Sequence, residues 1–243
     1  MLETKQRVDF ISKVLNSAGA KGIIFGNSGG KDCALVGILC KMACENTLSL
    51  MLPCGTTRSY GSDLDDATAL AAQFGIEYRT VDLAAARDAL AGAISDQADA
   101  TETALSNLLP RLRMATLYTI AQSEGRLVAG TGNRSEIYMG YFTKWGDGAS
   151  DFNPIADLTA TEVYEFLAHL GAPDFLFSKP PSAGLFEGQT DEADMGVTYK
   201  AIDGYLLTGQ ASPEDKLVIE RYHNSSSHKR VMPVVFDPAI YGI

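Results

Sequence analysis

Three features of the chain predict an α/β fold, with a doubly wound open parallel sheet and helices on both faces. Short apolar runs alternate four times with stretches of helical apolar spacing, the order that parallel strands joined by crossover helices require. A turn that no regular element would tolerate, Gly26-Asn27-Ser28-Gly29-Gly30, follows the first of those runs. The 243 residues are 46% hydrophobic, enough for one large core and too many for global disorder. A single domain over residues 1–243 is expected, without repeats, low-complexity tracts or an independent linker.

Residues 3–19 read as a helix with Val8, Ile11, Val14 and Leu15 on one face. Ile23-Ile24-Phe25 suits a buried parallel strand, and 34–43 resumes helical spacing beyond the glycine turn. Residues 47–52 form a second strand closed by Pro53. The polar turn 54–62 then lies at a strand's C-terminal end, where open α/β sheets meet their ligands. A helix over 63–74 ends at Gly75, 76–81 is a third strand, 83–94 a helix and 96–107 a polar connection. The long helix 108–123 carries Arg111 and Arg113, and the fourth strand, 126–129, opens into Gly130-Thr131-Gly132-Asn133. Helices are expected again over 159–170, 199–207 and 213–222. Between them, 171–196 has little periodicity, and a stretch of that length in a compact domain predicts a functional lid, placed at 180–196.

The formal charge of −10 argues against a general nucleic-acid binder, which needs a basic field. The N-terminus reads as an amphipathic helix rather than a signal peptide, and no apolar run approaches the ~18 residues that span a bilayer. A cytoplasmic protein is expected, with neither nucleic acid nor membrane as partner. Cys33, Cys40 and Cys44 fall at helical spacing and Cys54 stands apart. With no paired C-x-x-C and no nearby histidine, buried free thiols are expected rather than zinc.

A strand, a glycine turn and a helix in that order make a phosphate cradle, because backbone N–H groups and a helix N-terminus face the anion. A Walker A loop is excluded, since Lys31 is followed by Asp32. The spacing of Gly26, Gly29 and Gly30 excludes the dinucleotide fingerprint. Asp32 alone could be no more than an acid favoured in a first helical turn. Residues 28–33, SGGKDC, resemble the S-G-G-x-D-S pyrophosphate loop of the N-type ATP pyrophosphatases, with Cys33 in place of the last serine. Further on stand GTGNRSEIYMGYFTKWGDGASDFNPIADL from Gly130 and SKPPSAGLFEGQTDEADMG from Ser178. Together these resemble the ammonia-dependent NAD synthetases, over nearly the whole chain as far as His228-Lys229.

The resemblance implies the adenine nucleotide alpha hydrolase-like, Rossmann-like form of the fold. It also implies an ATP-dependent amidation of deamido-NAD by ammonia, through an adenylated carboxylate. ATP would be the co-substrate and Mg²⁺ the metal, held by Asp32 and Glu136 as the catalytic carboxylates. Asn133-x-x-Glu136 fits a helix capping box equally well. Gly26, Asn27, Ser28, Gly29, Gly30, Lys31, Asp32, Cys33, Thr131 and Ser182 would contact ATP. Arg111, Lys144, Asp151, His228 and Lys229 would hold deamido-NAD, while Tyr141, Phe142 and Trp145 offer rings for stacking or for the core. The family pattern L-T-K, whose lysine meets the triphosphate, is here Leu158-Thr159-Ala160. That departure implies weak ATP use, compensation by Lys31 or Lys179, or another substrate. A homodimer is implied, and a separate glutaminase is a possible ammonia donor. The alternatives are another N-type ATP pyrophosphatase with a different acceptor, or a nucleotide-binding sensor without turnover.

Overall fold

The computed structural model describes residues 2–54, 57–179, 181, 182, 184, 188–233, 235 and 236. The first half follows the expected alternation: α1 (Leu2–Ala18), β1 (Gly22–Gly26), α2 (Lys31–Ala43), β2 (Thr47–Met51), the short α3 (Thr57–Tyr60) and α4 (Ser62–Gln73). Then come β3 (Glu77–Thr80), α5 (Ala84–Ser95), α6 (Glu102–Ser106), α7 (Leu108–Glu124) and β4 (Arg126–Val128). The second half is helical: α8 (Arg134–Met139), α9 (Ala160–His169), α10 (Phe175–Ser178), α11 (Asp191–Met195), α12 (Tyr199–Thr208) and α13 (Pro213–Ser225). It closes on a 3₁₀ turn at Ser227–Lys229. No helix among the described residues is long and apolar enough to cross a membrane.

The four strands are parallel, in the order β3-β2-β1-β4, with Ile23 beside Thr47 on one edge of β1 and Leu127 on the other. Alternate residues of β1 enter different layers, as the pleat demands. Ile23 and Phe25 join Ile11 of α1, Leu35 and Leu39 of α2 and Val163 of α9, whereas Ile24 joins Leu109 and Leu117 of α7. Gly37 lets α2 settle on the sheet, since a Cβ there would lie 2.5 Å from the Phe25 ring. A third cluster, Met139, Ala160, Met195, Tyr199, Ile202 and Ile219, knits the second-half helices together.

One reading needs correction. The polar connection at 96–107 contains α6, capped by Thr101, whose Oγ1 accepts from the Ala104 N–H at 3.2 Å. Helices flank the sheet as expected, and α4 reaches the edge strand β3, whose own four residues are exposed. Within 171–196, α10 and α11 occupy four and five residues. Of the expected lid, Pro180, Ala183 and 185–187 lie outside the described residues, as do 55 and 56 of the expected polar turn. All four cysteines are free, with Cys33, Cys40 and Cys54 buried.

Candidate active site

The sheet grows from β1 through β2 to β3, and β4 then returns to the other edge of β1. The C-terminal ends of β1 and β4 therefore flank a switch point, where ligands of such sheets bind. A cleft of about 730 Å³ opens there.

From β1 comes the glycine turn. Asn27 staples it: the side-chain amide donates to Ser49 Oγ (3.0 Å) and the Ala67 carbonyl (3.3 Å), and Oδ1 accepts from the Gly29 N–H (3.0 Å). Gly29 adopts φ +70°, and a Cβ there would stand 2.5 Å from the Asp63 carbonyl. It therefore backs onto α4, while Gly26, Asn27, Ser28, Gly30, Lys31, Asp32 and Cys33 line the cleft. No side chain caps α2 at Gly30, so the first-turn N–H groups stay available to an anion. Cys33 Sγ lies 3.3 Å from Ser28 Oγ, and burial pushes its pKa up, keeping a neutral thiol where the pattern has a hydroxyl.

From β4 come Thr131, which also lines the cleft, and the start of α8. The capping box forms: the Glu136 N–H donates to Asn133 Oδ1 (3.0 Å) and the Asn133 N–H to Glu136 Oε2 (3.1 Å). Asn133 Nδ2 also donates to Asp32 Oδ1 at 3.1 Å, tying the two strand mouths together. Burial, then the charge of Asp32, pushes the Glu136 carboxyl well above the usual carboxylate range. Two carboxylates crowded at one cleft suit Mg²⁺, which takes one or two protein carboxylates and completes its shell with phosphate oxygens and water. Among the described residues no group of three or more His, Cys, Asp or Glu forms a cage, which a site of that kind does not need.

Lys31 is 5% exposed, with Nζ 2.7 Å from Asp32 Oδ2. Burial opposes its charge, but Asp32 and Glu136 outweigh burial and its pKa is raised. Ser182 and Lys229 line the same cleft, and Lys229 Nζ donates to the Gly140 and Phe142 carbonyls at 2.9 and 2.7 Å. The polar tail is thus pinned back on the end of α8. Lys179 is held by Asp63 (2.8 Å) and Asp66 (2.6 Å).

Of the residues expected to hold deamido-NAD, four lie off the cleft. Arg111 Nε donates to the Lys144 carbonyl (3.4 Å), and Lys144 Nζ donates to the His228 carbonyl (2.6 Å), a linked group on the rim. Asp151 accepts from the Val128 N–H (2.7 Å) and from the Tyr118 hydroxyl (3.2 Å), so it braces β4. Tyr141 and Phe142 line the cleft, whereas Trp145 is 54% exposed at φ +64°. Arg113, to which the sequence assigns a place on the long helix but no site role, donates from Nε to the Leu52 carbonyl (3.2 Å) inside the cleft. Two residues from Arg111, it faces another side of α7, and that offset was the available signal. Tyr164 and Tyr199 beside Lys31 carried none, because each reads as an ordinary apolar-face residue.

Comparison with known proteins gives the same picture. A family model described as NAD synthase matches residues 3–235. The NH(3)-dependent NAD(+) synthetase of Carboxydothermus hydrogenoformans is 44% identical over 236 residues, 96% of each chain. Among solved structures, the NMN synthetase of Francisella tularensis superposes with a TM-score of 0.91 at 36% identity over 97% of each chain. The NH3-dependent NAD synthetase of Campylobacter jejuni superposes with a TM-score of 0.79 at 29% identity, again over 97% of each. A family match across almost the whole length, on a sheet whose switch point carries the expected glycine turn, makes this chain a member of the NAD synthase family.

Proposed function

We propose that the chain, acting as a single domain, amidates deamido-NAD to NAD with ammonia while ATP is cleaved to AMP and pyrophosphate. One observation carries the reading: an uncapped glycine turn and two crowded carboxylates, Asp32 and Glu136, meet in one cleft. A carboxylate is a poor electrophile, and ammonia cannot displace oxide from it. An acceptor carboxylate oxygen attacks the α-phosphorus, the bond to pyrophosphate breaks, and an acyl adenylate remains. Ammonia then attacks the acyl carbon, AMP leaves, and the nitrogen gives up a proton.

The protein's part is positioning and charge. The N–H groups of the turn and the start of α2 hold the phosphates, with Thr131 and Ser182 beside them. Asp32 and Glu136 would hold Mg²⁺, which when bound neutralises phosphate charge. Lys229 meets the acceptor inside the cleft, Arg111, Lys144 and His228 meet its far end at the rim, and Asp151 acts on it through the strand end that it braces. A homodimer fits this division, because rim groups off the cleft gain a wall from a second copy. Free ammonia, or ammonia from a separate glutaminase, supplies the nitrogen. Four free thiols support a cytoplasmic setting.

A second acceptor has a specific observation in its favour. The Francisella tularensis structure, an NMN synthetase, superposes more closely than the Campylobacter jejuni NAD synthetase does, 0.91 against 0.79. The corresponding acceptor here is nicotinate mononucleotide, which has no distal adenosine for the rim to hold. Both acceptors should be incubated separately with ATP, magnesium and ammonium, and amide and pyrophosphate followed together. Equimolar amide and pyrophosphate are expected, and the larger kcat/KM identifies the acceptor. Pyrophosphate release with neither would leave the nucleotide-binding sensor as the reading.

A further inference from the structure

We propose that Lys31 is the polyphosphate-binding cation of this chain, delivered from the first turn of α2 into the space beside Ala160. The proposal rests on the reading of the cleft as an ATP site.

Ala160 is 2% exposed, and its N–H donates to Ser135 Oγ at 3.1 Å. The start of α9 is anchored by hydrogen bonds. Buried Asp203 of α12 accepts from the Thr161 N–H (2.8 Å), Thr161 Oγ1 (2.6 Å) and Ser135 Oγ (2.5 Å). Position 160 therefore faces the interior and supplies only a methyl group. The ammonium of Lys31 approaches the first turns of α9 from another element. It lies 5.5 Å from the ring centre of Tyr164, one turn beyond Ala160 on α9. It lies 5.7 Å from the ring centre of Tyr199, which shares the buried cluster of Ala160.

The other cations of the cleft are engaged elsewhere. Lys179 is clasped by two carboxylates, Lys229 by two carbonyls, and Arg113 Nε by the Leu52 carbonyl. Among the described residues Lys31 has a single anionic hydrogen-bond partner, Asp32, which is also one of the two carboxylates suited to a divalent ion. A buried ammonium is stable only while paired. If the ion occupies Asp32, the polyphosphate one residue from the glycine turn is the available anion.

The test is calorimetric titration with α,β-methylene ATP, which cannot be split between its α and β phosphates, with magnesium and again with EDTA. Lys31→Met should weaken binding in magnesium by about tenfold to a hundredfold, the range of a charge-assisted phosphate contact. Ala160→Lys alone should not tighten it, because the space and the charge are already supplied. The double variant Lys31→Met/Ala160→Lys should recover about tenfold over Lys31→Met. If Lys31→Met does not fold, Lys31→Gln is read against the same threshold, alone and with Ala160→Lys. Binding within about twofold of wild type by the Lys31 variant, or no recovery in the double variant, overturns the proposal. Absence of analogue binding by the wild-type protein would instead overturn the reading of the cleft itself, and the proposal with it.

Discussion

Glu136 meets two demands with two oxygens. Oε2 closes the capping box on the Asn133 N–H, which leaves Oε1 for the cleft and the Asp32 side. Glu136→Gln keeps an acceptor for the cap, since glutamine also closes such boxes, and removes one of two crowded charges. The variant should melt no lower than wild type, yet release pyrophosphate more than about a hundredfold more slowly. Asp32→Asn should lose turnover to a similar degree but also melt lower. It strips the buried Lys31 ammonium of its partner, a loss of roughly 3 kcal/mol. Melting curves and a pyrophosphate assay on both variants check this, and normal turnover in either would remove that carboxylate from the metal site. The roles expected of both acids rest on the resemblance of their motifs to the family, since a first-turn acid and a capping-box glutamate fit the bare sequence equally well. The burial of Lys31 was not legible in the sequence, since a lysine between glycine and aspartate carries no local mark of what covers it. Helices α9 and α12, far along the chain, decide that.

Long elements announce themselves and short ones do not. The strands and α1, α2, α7 and α13 emerge from periodicity, whereas α6, α10 and α11 span barely more than one turn and leave too few residues for a pattern. The clasp of Asp203 on the start of α9 joins positions more than forty residues apart and has no sequence signature. Residues that flank the stretch expected to form a lid, 180–196, are held in place. Lys179 is fastened to Asp63 and Asp66 of α4, and Tyr199 donates to Asp191 at 3.0 Å. A lid over 180–196, as the sequence leads one to expect, predicts that bound nucleotide shields this stretch. ATP with either acceptor should slow proteolytic cleavage within 181–190 by about tenfold. Lys179→Met should weaken that protection by releasing one end, leaving cleavage elsewhere unchanged. Equal cleavage with and without ligands would remove the flap from the mechanism.

At the scale of the molecule, α5 is the anomaly. It is rich in alanine, none of its residues is buried, and Leu90 stands 39% exposed. Alone in water such a helix has little reason to lie on the surface, because helical stability comes mainly from packing an apolar face. Its small side chains would let another helix approach closely. It packs on α7, whose solvent side carries Arg111, and Arg111 leads through Lys144 to His228 on the rim. A second copy covering α5 would therefore also wall in the groups assigned to the acceptor's far end. Light scattering behind a sizing column should give twice the 26.0 kDa of the chain. The double variant Leu90→Arg/Ala93→Glu should give a monomer, because charges buried at a helix–helix contact are left without partners. Its affinity for α,β-methylene ATP should stay within about threefold of wild type, as the phosphate site lies inside one chain. Its KM for the acceptor should rise by about tenfold or more if the acceptor is the dinucleotide, and by much less if it is the mononucleotide. A wild-type monomer with full activity would separate the rim from any second copy. A monomeric variant with unchanged acceptor KM would instead make the mononucleotide the better acceptor.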